Sequence, residues 1–147
     1  MAFLAENRKA RFDYQILESV EAGIELLGIE VKAIRAGQAN LTGSFALIRG
    51  GELWLTNADI PPYQAKNTAP EYDPKKTRRL LVSKEEIQTL ANRLQSEHLT
   101  IVPLKLYNKG GLIKIELGLA RGKKKADKRE TIKRRDVSRE VGRRLKN

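Results

Sequence analysis

Two glycine pairs, Gly50-Gly51 and Gly110-Gly111, each stand between two apolar runs. A Gly-Gly pair supplies the positive φ angles that tight antiparallel turns require, so each pair predicts a β-hairpin. The first joins Phe45 to Ile48 with Leu53 to Leu55 through Arg49-Gly50-Gly51-Glu52. The second carries Thr100 to Tyr107 through Asn108-Lys109-Gly110-Gly111 into Leu112 to Leu119. In its return strand Ile113, Ile115, Leu117 and Leu119 alternate with Lys114, Glu116 and Gly118, which predicts one buried and one open face. Tyr14 to Leu27 reads as one long strand, broken or bulged at Gly23.

Helices are fewer. Glu30 to Arg35 lacks period-two alternation and is closed by Ala36-Gly37, which predicts a short helix with Val31 and Ile34 toward the core. Lys32 and Arg35 then lie on the opposite side, open to a partner. Ser83 with Glu86 matches a capping box, and Ile87, Leu90, Ala91 and Leu94 follow at helical spacing. Asp59 to Asp73, with Pro61, Pro62 and Pro70, reads as a long loop. The expected fold is mainly β with short helices, a small antiparallel barrel of the oligonucleotide-binding type.

Charge divides the chain in two. Of the 147 residues, Arg121 to Asn147 hold 13 Lys or Arg against 4 Asp or Glu, and so carry +9 of the net +11. Residues 1–120 are expected to form the barrel and 121–147 a basic tail. In the tail the apolar residues thin to Ile132, Val137, Val141 and Leu145, a stripe too narrow to dock a helix on a core. Ordering the backbone costs about 1–2 kcal/mol per residue, so the tail is expected to be disordered when free and helical when bound. Such segregation fits a polyanionic partner, and cations set against phosphates displace condensed counterions. The densest run is Gly122 to Arg129.

Other chemistry finds little support in the residues. There is no Cys, which removes disulfides, thiolate metal sites and thiol catalysis. The one His, His98, has no acidic or hydroxyl partner at a recognisable spacing. Glu85 and Glu86 are adjacent and point apart, and no phosphate-binding glycine loop occurs. No metal, cofactor or catalytic residue is expected. The N-terminus is too short in its apolar part for a secretory signal, no apolar run is long enough to span a bilayer, and the tail lacks the aromatics of a membrane-surface helix. A cytoplasmic protein without membrane attachment is the expectation.

Three further features invite a role. Asp73 to Arg79 places Lys75, Lys76, Arg78 and Arg79 beside a proline turn. Glu21 stands next to Gly23, and a carboxylate can accept from base amino groups. Trp54 and Tyr107 lie in strands, where packing and base stacking are both open.

Taken in order, several blocks of sequence resemble the small protein B family, the tmRNA-binding (SsrA-binding) proteins of bacterial trans-translation. These are Asn7-Arg8-Lys9-Ala10-Arg11 with Tyr14, Glu21-Ala22-Gly23, Gly28-Ile29-Glu30-Val31-Lys32, Arg35-Ala36-Gly37, Asp73-Pro74 with Arg78-Arg79-Leu80-Leu81, Pro103 to Tyr107, and Gly122-Lys123-Lys124 with Asp127-Lys128-Arg129. The resemblance covers nearly the whole chain. It implies a barrel that grips the tRNA-like domain of tmRNA, stands in for the missing anticodon arm, and brings the RNA to a stalled ribosome. It also implies a non-enzymatic protein, a monomer in the complex, whose tail folds in the small subunit near the decoding centre and reads an empty mRNA channel.

By position, the resemblance implies RNA contacts for Asn7, Glu21 and Leu81, with Lys32, Arg35 and Asn40 on the same surface. Arg78 and Arg79 join them from the basic run. Asp127, Lys128 and Arg129 match the tail signature for ribosomal function, and Lys123, Lys124, Lys133, Arg134, Arg135, Arg139, Arg143 and Arg144 are the further ribosome-binding candidates of the tail. The family often has an aromatic or His where this chain has Ala126, which cannot stack. A constitutive ribosomal protein with an rRNA-threading tail is the alternative reading.

Overall fold

The computed structural model describes residues 3–64 and 70–123. In chain order the elements are β1 (Phe3–Glu6), α1 (Arg8–Asp13), β2 (Tyr14–Ile24), α2 (Gly28–Arg35), β3 (Phe45–Arg49), β4 (Glu52–Thr56), β5 (Arg78–Leu81), α3 (Lys84–Glu97), β6 (Thr100–Lys109) and β7 (Leu112–Gly122). The strands form one antiparallel sheet ordered β1-β6-β3-β4-β5-β2-β7, and pairing of β6 with β7 closes it into a ring. One edge of β6 runs along β7. The other is shared, Ile101 meeting Ala46 of β3 and Lys105 to Tyr107 meeting β1. A sheet closed on itself with a helical cover is the barrel that the hairpin signals predicted.

Both hairpins form at their glycine pairs, with positive φ at Gly50, Gly51, Gly110 and Gly111. The Ser83 hydroxyl accepts from the Glu86 N–H at 3.2 Å and starts α3, which turns Ile87 and Leu90 inward. Arg93 fixes this helix to the barrel by bridging Glu18 of β2 and Glu97. The interior is aliphatic, with Leu53, Leu55, Leu80, Leu106, Ile115, Leu117 and Leu119 fully buried. Each such side chain contributes about 1.5–3 kcal/mol by leaving water.

The structure differs from the expectation in β2. Its bulge is a register shift between Ile16 and Glu18, not at Gly23, and the strand stops at Ile24. Gly23 is instead paired on both sides, with Lys114 of β7 and Leu81 of β5. A Cβ there would lie 3.2 Å from the Leu81 Cβ. The glycine therefore permits a close approach and does not break the strand.

In β7 the single buried face holds only to Leu117. Beyond it Gly118 and Ala120 are buried too, the first under Ile16 and Leu104 and the second in a core that includes Ala10 of α1. Ala10, Val102, Leu104 and Ala120 form a second small core there, with Tyr14 and Ile16 against it. β7 also continues through Arg121 and Gly122, which pair with Gln15 and Tyr14, and the Lys123 N–H donates to the Asp13 carbonyl at 2.9 Å.

Candidate nucleic-acid interface

Glu21, Gly23 and Leu81 meet on the outer face of the sheet, where β2 lies between β5 and β7. Leu81 is held over Gly23 and is 47% exposed. Glu21, one strand repeat away on the same face, accepts from the Tyr107 hydroxyl and from the Lys109 ammonium, the latter at 3.1 Å to each oxygen. These two donors hold its carboxyl below the ordinary carboxylate range against a smaller opposing effect of burial. Burial, and then the carboxylate it serves, push the Tyr107 hydroxyl upward. At neutral pH Glu21 is thus a fixed, ionised acceptor beside an exposed leucine.

The β6–β7 turn links this group to α2. Lys109 precedes the turn, and the Gly111 carbonyl accepts from Arg35 at 3.1 Å. Lys32 and Arg35 are three residues apart on the exposed side of α2. Helix α2 begins where it does because Glu30 accepts from the Leu27 N–H at 2.8 Å, answering one of the unpaired donors of its first turn. Arg35 is thereby tied to the turn that carries Lys109, the partner of Glu21, and Lys32 lies beside Arg35 on the same exposed helix side.

The remaining residues singled out by resemblance or by charge have different surroundings. Asn7 is 2% exposed. Its Oδ1 accepts from the Ala10 N–H at 3.1 Å, capping α1, while its Nδ2 donates to Pro103 at 2.9 Å and Leu41 at 3.2 Å. Asn40 is exposed, its Oδ1 accepting from the Thr42 N–H at 2.9 Å. Arg79 points outward beside Trp54 and pairs with Glu52.

Arg78 is buried and meets Glu30. It also donates to the carbonyls of Ala58 at 2.9 Å, Lys76 at 3.1 Å and Pro74 at 2.9 Å, and to the Tyr72 hydroxyl at 3.3 Å. With the Glu30 bond, this uses all five guanidinium donors. Of the strand aromatics, Tyr107 is buried, and Trp54 is half-buried with its indole N–H donating to the Arg49 carbonyl at 3.2 Å.

Sequence reasoning missed Lys109 and Tyr107 as partners of Glu21, because the register that brings them together is long-range. It also missed α1, although Asn7 followed by Arg-Lys-Ala-Arg is a recognisable cap before helix-forming residues. Among the sites assigned to the tail, Lys123 is described. Lys124, Asp127, Lys128, Arg129, Lys133, Arg134, Arg135, Arg139, Arg143 and Arg144, with Ala126, lie outside the described residues, as do the expected disorder and helix.

Comparison with known proteins agrees with this architecture. The SmpB protein family matches over residues 4–147. The chain belongs to the SmpB family. It is 53% identical over 143 residues to the SsrA-binding protein of Synechococcus elongatus, covering 97% of this chain and 93% of that one. To the SsrA-binding protein of Chlorobaculum tepidum it is 56% identical over 136 residues, covering 92% and 86%. A solved structure described as tmRNA-SmpB on a journey to the centre of the bacterial ribosome contains a chain of 48% identity and TM-score 0.67. That match covers 86% of this chain and 92% of the other. Among the described residues, no helix of this SmpB-family chain is long and apolar enough to cross a membrane.

Proposed function

We propose that the chain binds the tRNA-like domain of tmRNA and delivers it to stalled ribosomes for trans-translation in the bacterial cytoplasm. Similarity to SsrA-binding proteins over almost the whole length is the observation that carries this reading. The contact surface is the outer face bearing Glu21 and Leu81, extended by Lys32 and Arg35. Leu81 packs against a base or sugar, Glu21 accepts from a base amino or ribose hydroxyl group, and the cations meet phosphate. Asn7 and Arg78 serve from within, by holding α1 and the segment before β5. Arg79 and Asn40 are peripheral contacts. The chain is an adaptor and not an enzyme: recognition and delivery need fixed acceptors and charge rather than a reacting group.

The basic tail is the ribosome-binding part. With +9 beyond residue 120 and few apolar residues, it folds only against the rRNA of an empty mRNA channel. Channel mRNA excludes that helix, which makes the tail a sensor of a missing message.

Truncation tests the division. Because β7 pairs through Gly122, the cut belongs after Lys123. The shortened protein is expected to keep its affinity for the tRNA-like domain, measured by gel-shift titration, while tagging of stalled chains in a reconstituted system is abolished. Equal loss of both would defeat the two-part reading. Enrichment on stalled ribosomes, as opposed to constant stoichiometry on all of them, separates it from a constitutive ribosomal protein.

A further inference from the structure

Glu21 and Leu81 are one end of a longer strip. Reading across adjacent strands, Leu81 of β5 pairs with Gly23 of β2, Gly23 with Lys114 of β7, Lys114 with Tyr107 of β6, and Tyr107 with Phe3 of β1. At roughly 4.8 Å between neighbouring strands, this row spans about 19 Å. Its two ends are apolar and open, and Lys105, Lys109 and Lys114 lie on or beside it. The contacts are continuous along its length: Leu81 rests on Gly23, Glu21 takes the Tyr107 hydroxyl, and Tyr107 stands opposite Phe3.

Phe3 is the most exposed aromatic side chain among the described residues, at 55%, against 42% for Tyr63 and 36% for Phe45. Neither of those stands in the row. A single exposed Phe is ordinary on a protein surface, but this one has a built support. The Lys105 ammonium lies 4.2 Å from the centre of its ring and is held there by Glu116 at 3.0 Å. The ring therefore meets a fixed cation and, among the described residues, keeps more than half of its surface open to solvent.

We infer that Phe3 is a stacking platform for an unpaired base of the bound RNA, supported by Lys105, at the far end of the strip that begins at Leu81. The inference rests on the RNA-binding reading above and adds to it a residue, a contact type and a direction across the sheet. Base–aromatic stacking tolerates any base, so Phe3 strengthens binding without choosing sequence. Glu21, whose acceptor oxygens discriminate donors from acceptors, is the selective end. A ring between a cation and a base also gains from the cation's pull on the π system.

The experiment titrates a tRNA-like-domain transcript at fixed salt against the full chain and its Phe3→Ala, Phe3→Leu, Phe3→Trp and Leu81→Ala variants, with thermal unfolding as the folding check. Phe3→Leu keeps apolar volume and removes the π face. Phe3→Ala and Phe3→Leu are expected to weaken binding by roughly tenfold, the order of one lost stack, and Phe3→Trp to bind at least as well as the parent. With Trp54→Phe added to silence the other indole, fluorescence of the new Trp at position 3 should be quenched on RNA addition. Parental affinity of Phe3→Leu, or unquenched fluorescence, while Leu81→Ala is weakened, overturns the platform and leaves the interface standing. Parental affinity for all of them overturns the interface as well.

Discussion

Two carboxylate–cation clusters are built on neighbouring parts of the chain and used in opposite ways. Glu30 meets Arg78 inside the protein, and Glu21 meets Lys109 on its outer face. Both carboxyls are held below their ordinary range. At Glu30 burial is the largest influence and pushes upward, but the Leu27 N–H, Arg78 and Lys76 together outweigh it. At Glu21 the hydrogen bonds lead and burial is secondary. Residue type and titration alike fail to separate a structural site from a contact site. The remaining hydrogen-bond capacity does separate them: Arg78 has none left, whereas Glu21 retains acceptor positions that face solvent.

The inner cluster gives the largest effect. Arg78→Ala takes from buried Glu30 its buried cation, leaving Lys76 and the Leu27 N–H, and withdraws a donor from three carbonyls, so unfolding free energy should fall by about 3–5 kcal/mol. For a domain of this size that lowers the melting temperature by on the order of 15 °C. The pH dependence follows from the sign of the Glu30 shift. A carboxyl depressed in the folded state contributes stability above its unfolded pKa and loses it as pH falls through the folded value. The acid limb of stability, below about pH 4, should accordingly be shallower in Glu30→Gln than in the parent when denaturant unfolding is compared at neutral and acid pH. An unchanged limb would mean that Glu30 binds protons equally in the folded and unfolded chain.

Asn7 and Leu81 sharpen the comparison, because resemblance gives both the same role and the structure gives them different surroundings. Asn7→Ala removes a helix cap and the side-chain donor to the Pro103 and Leu41 carbonyls, of which Leu41 keeps Ser44, an expected destabilisation of about 2–3 kcal/mol. Any loss of RNA affinity should track that unfolding and recover at lower temperature. Leu81→Ala should shift stability by no more than about 0.5 kcal/mol and weaken RNA binding at every temperature. A stable Asn7→Ala protein with weak RNA binding would instead make Asn7 a direct contact and place α1 in the interface.

How much of this was legible in the chain depends on range. The hairpins were readable because a Gly-Gly turn is a local device, and α3 because Ser83 and its apolar period are local too. β1 and β5 were not, since four residues cannot display a period, and of α1 only the cap at Asn7 is written in the sequence. Their purpose is visible only in three dimensions: Ala10 of α1 completes a small core with Val102 and Leu104 of β6 and Ala120 of β7. The site shows the same limit. Lys32 and Arg35 follow from the period of α2, but the meeting of Glu21 with Tyr107 and Lys109, and of Gly23 with Leu81, depends on strand register between distant segments. Gly23 could be flagged as special in a strand, yet a bulge and a close approach leave the same mark in sequence.

The basic run before β5 gives the smallest effect and the tightest control. Arg78 and Arg79 are consecutive, and strand alternation sends them to opposite faces, the first inward with Leu80 and the second outward with Leu81. Among the described residues Arg79 bridges Glu52 at the surface, where exposed ion pairs contribute about 0–1 kcal/mol and less in salt. Arg79→Ala should therefore leave the melting temperature within a few degrees of the parent, and closer still in added salt, while Arg78→Ala collapses it. On RNA the order is reversed in kind. Arg79→Ala should reduce the slope of log affinity against log salt by up to about one unit if it meets a phosphate. An unaltered slope would place Arg79 outside the interface and confine the contact surface to the strip from Leu81 across β2, β7 and β6.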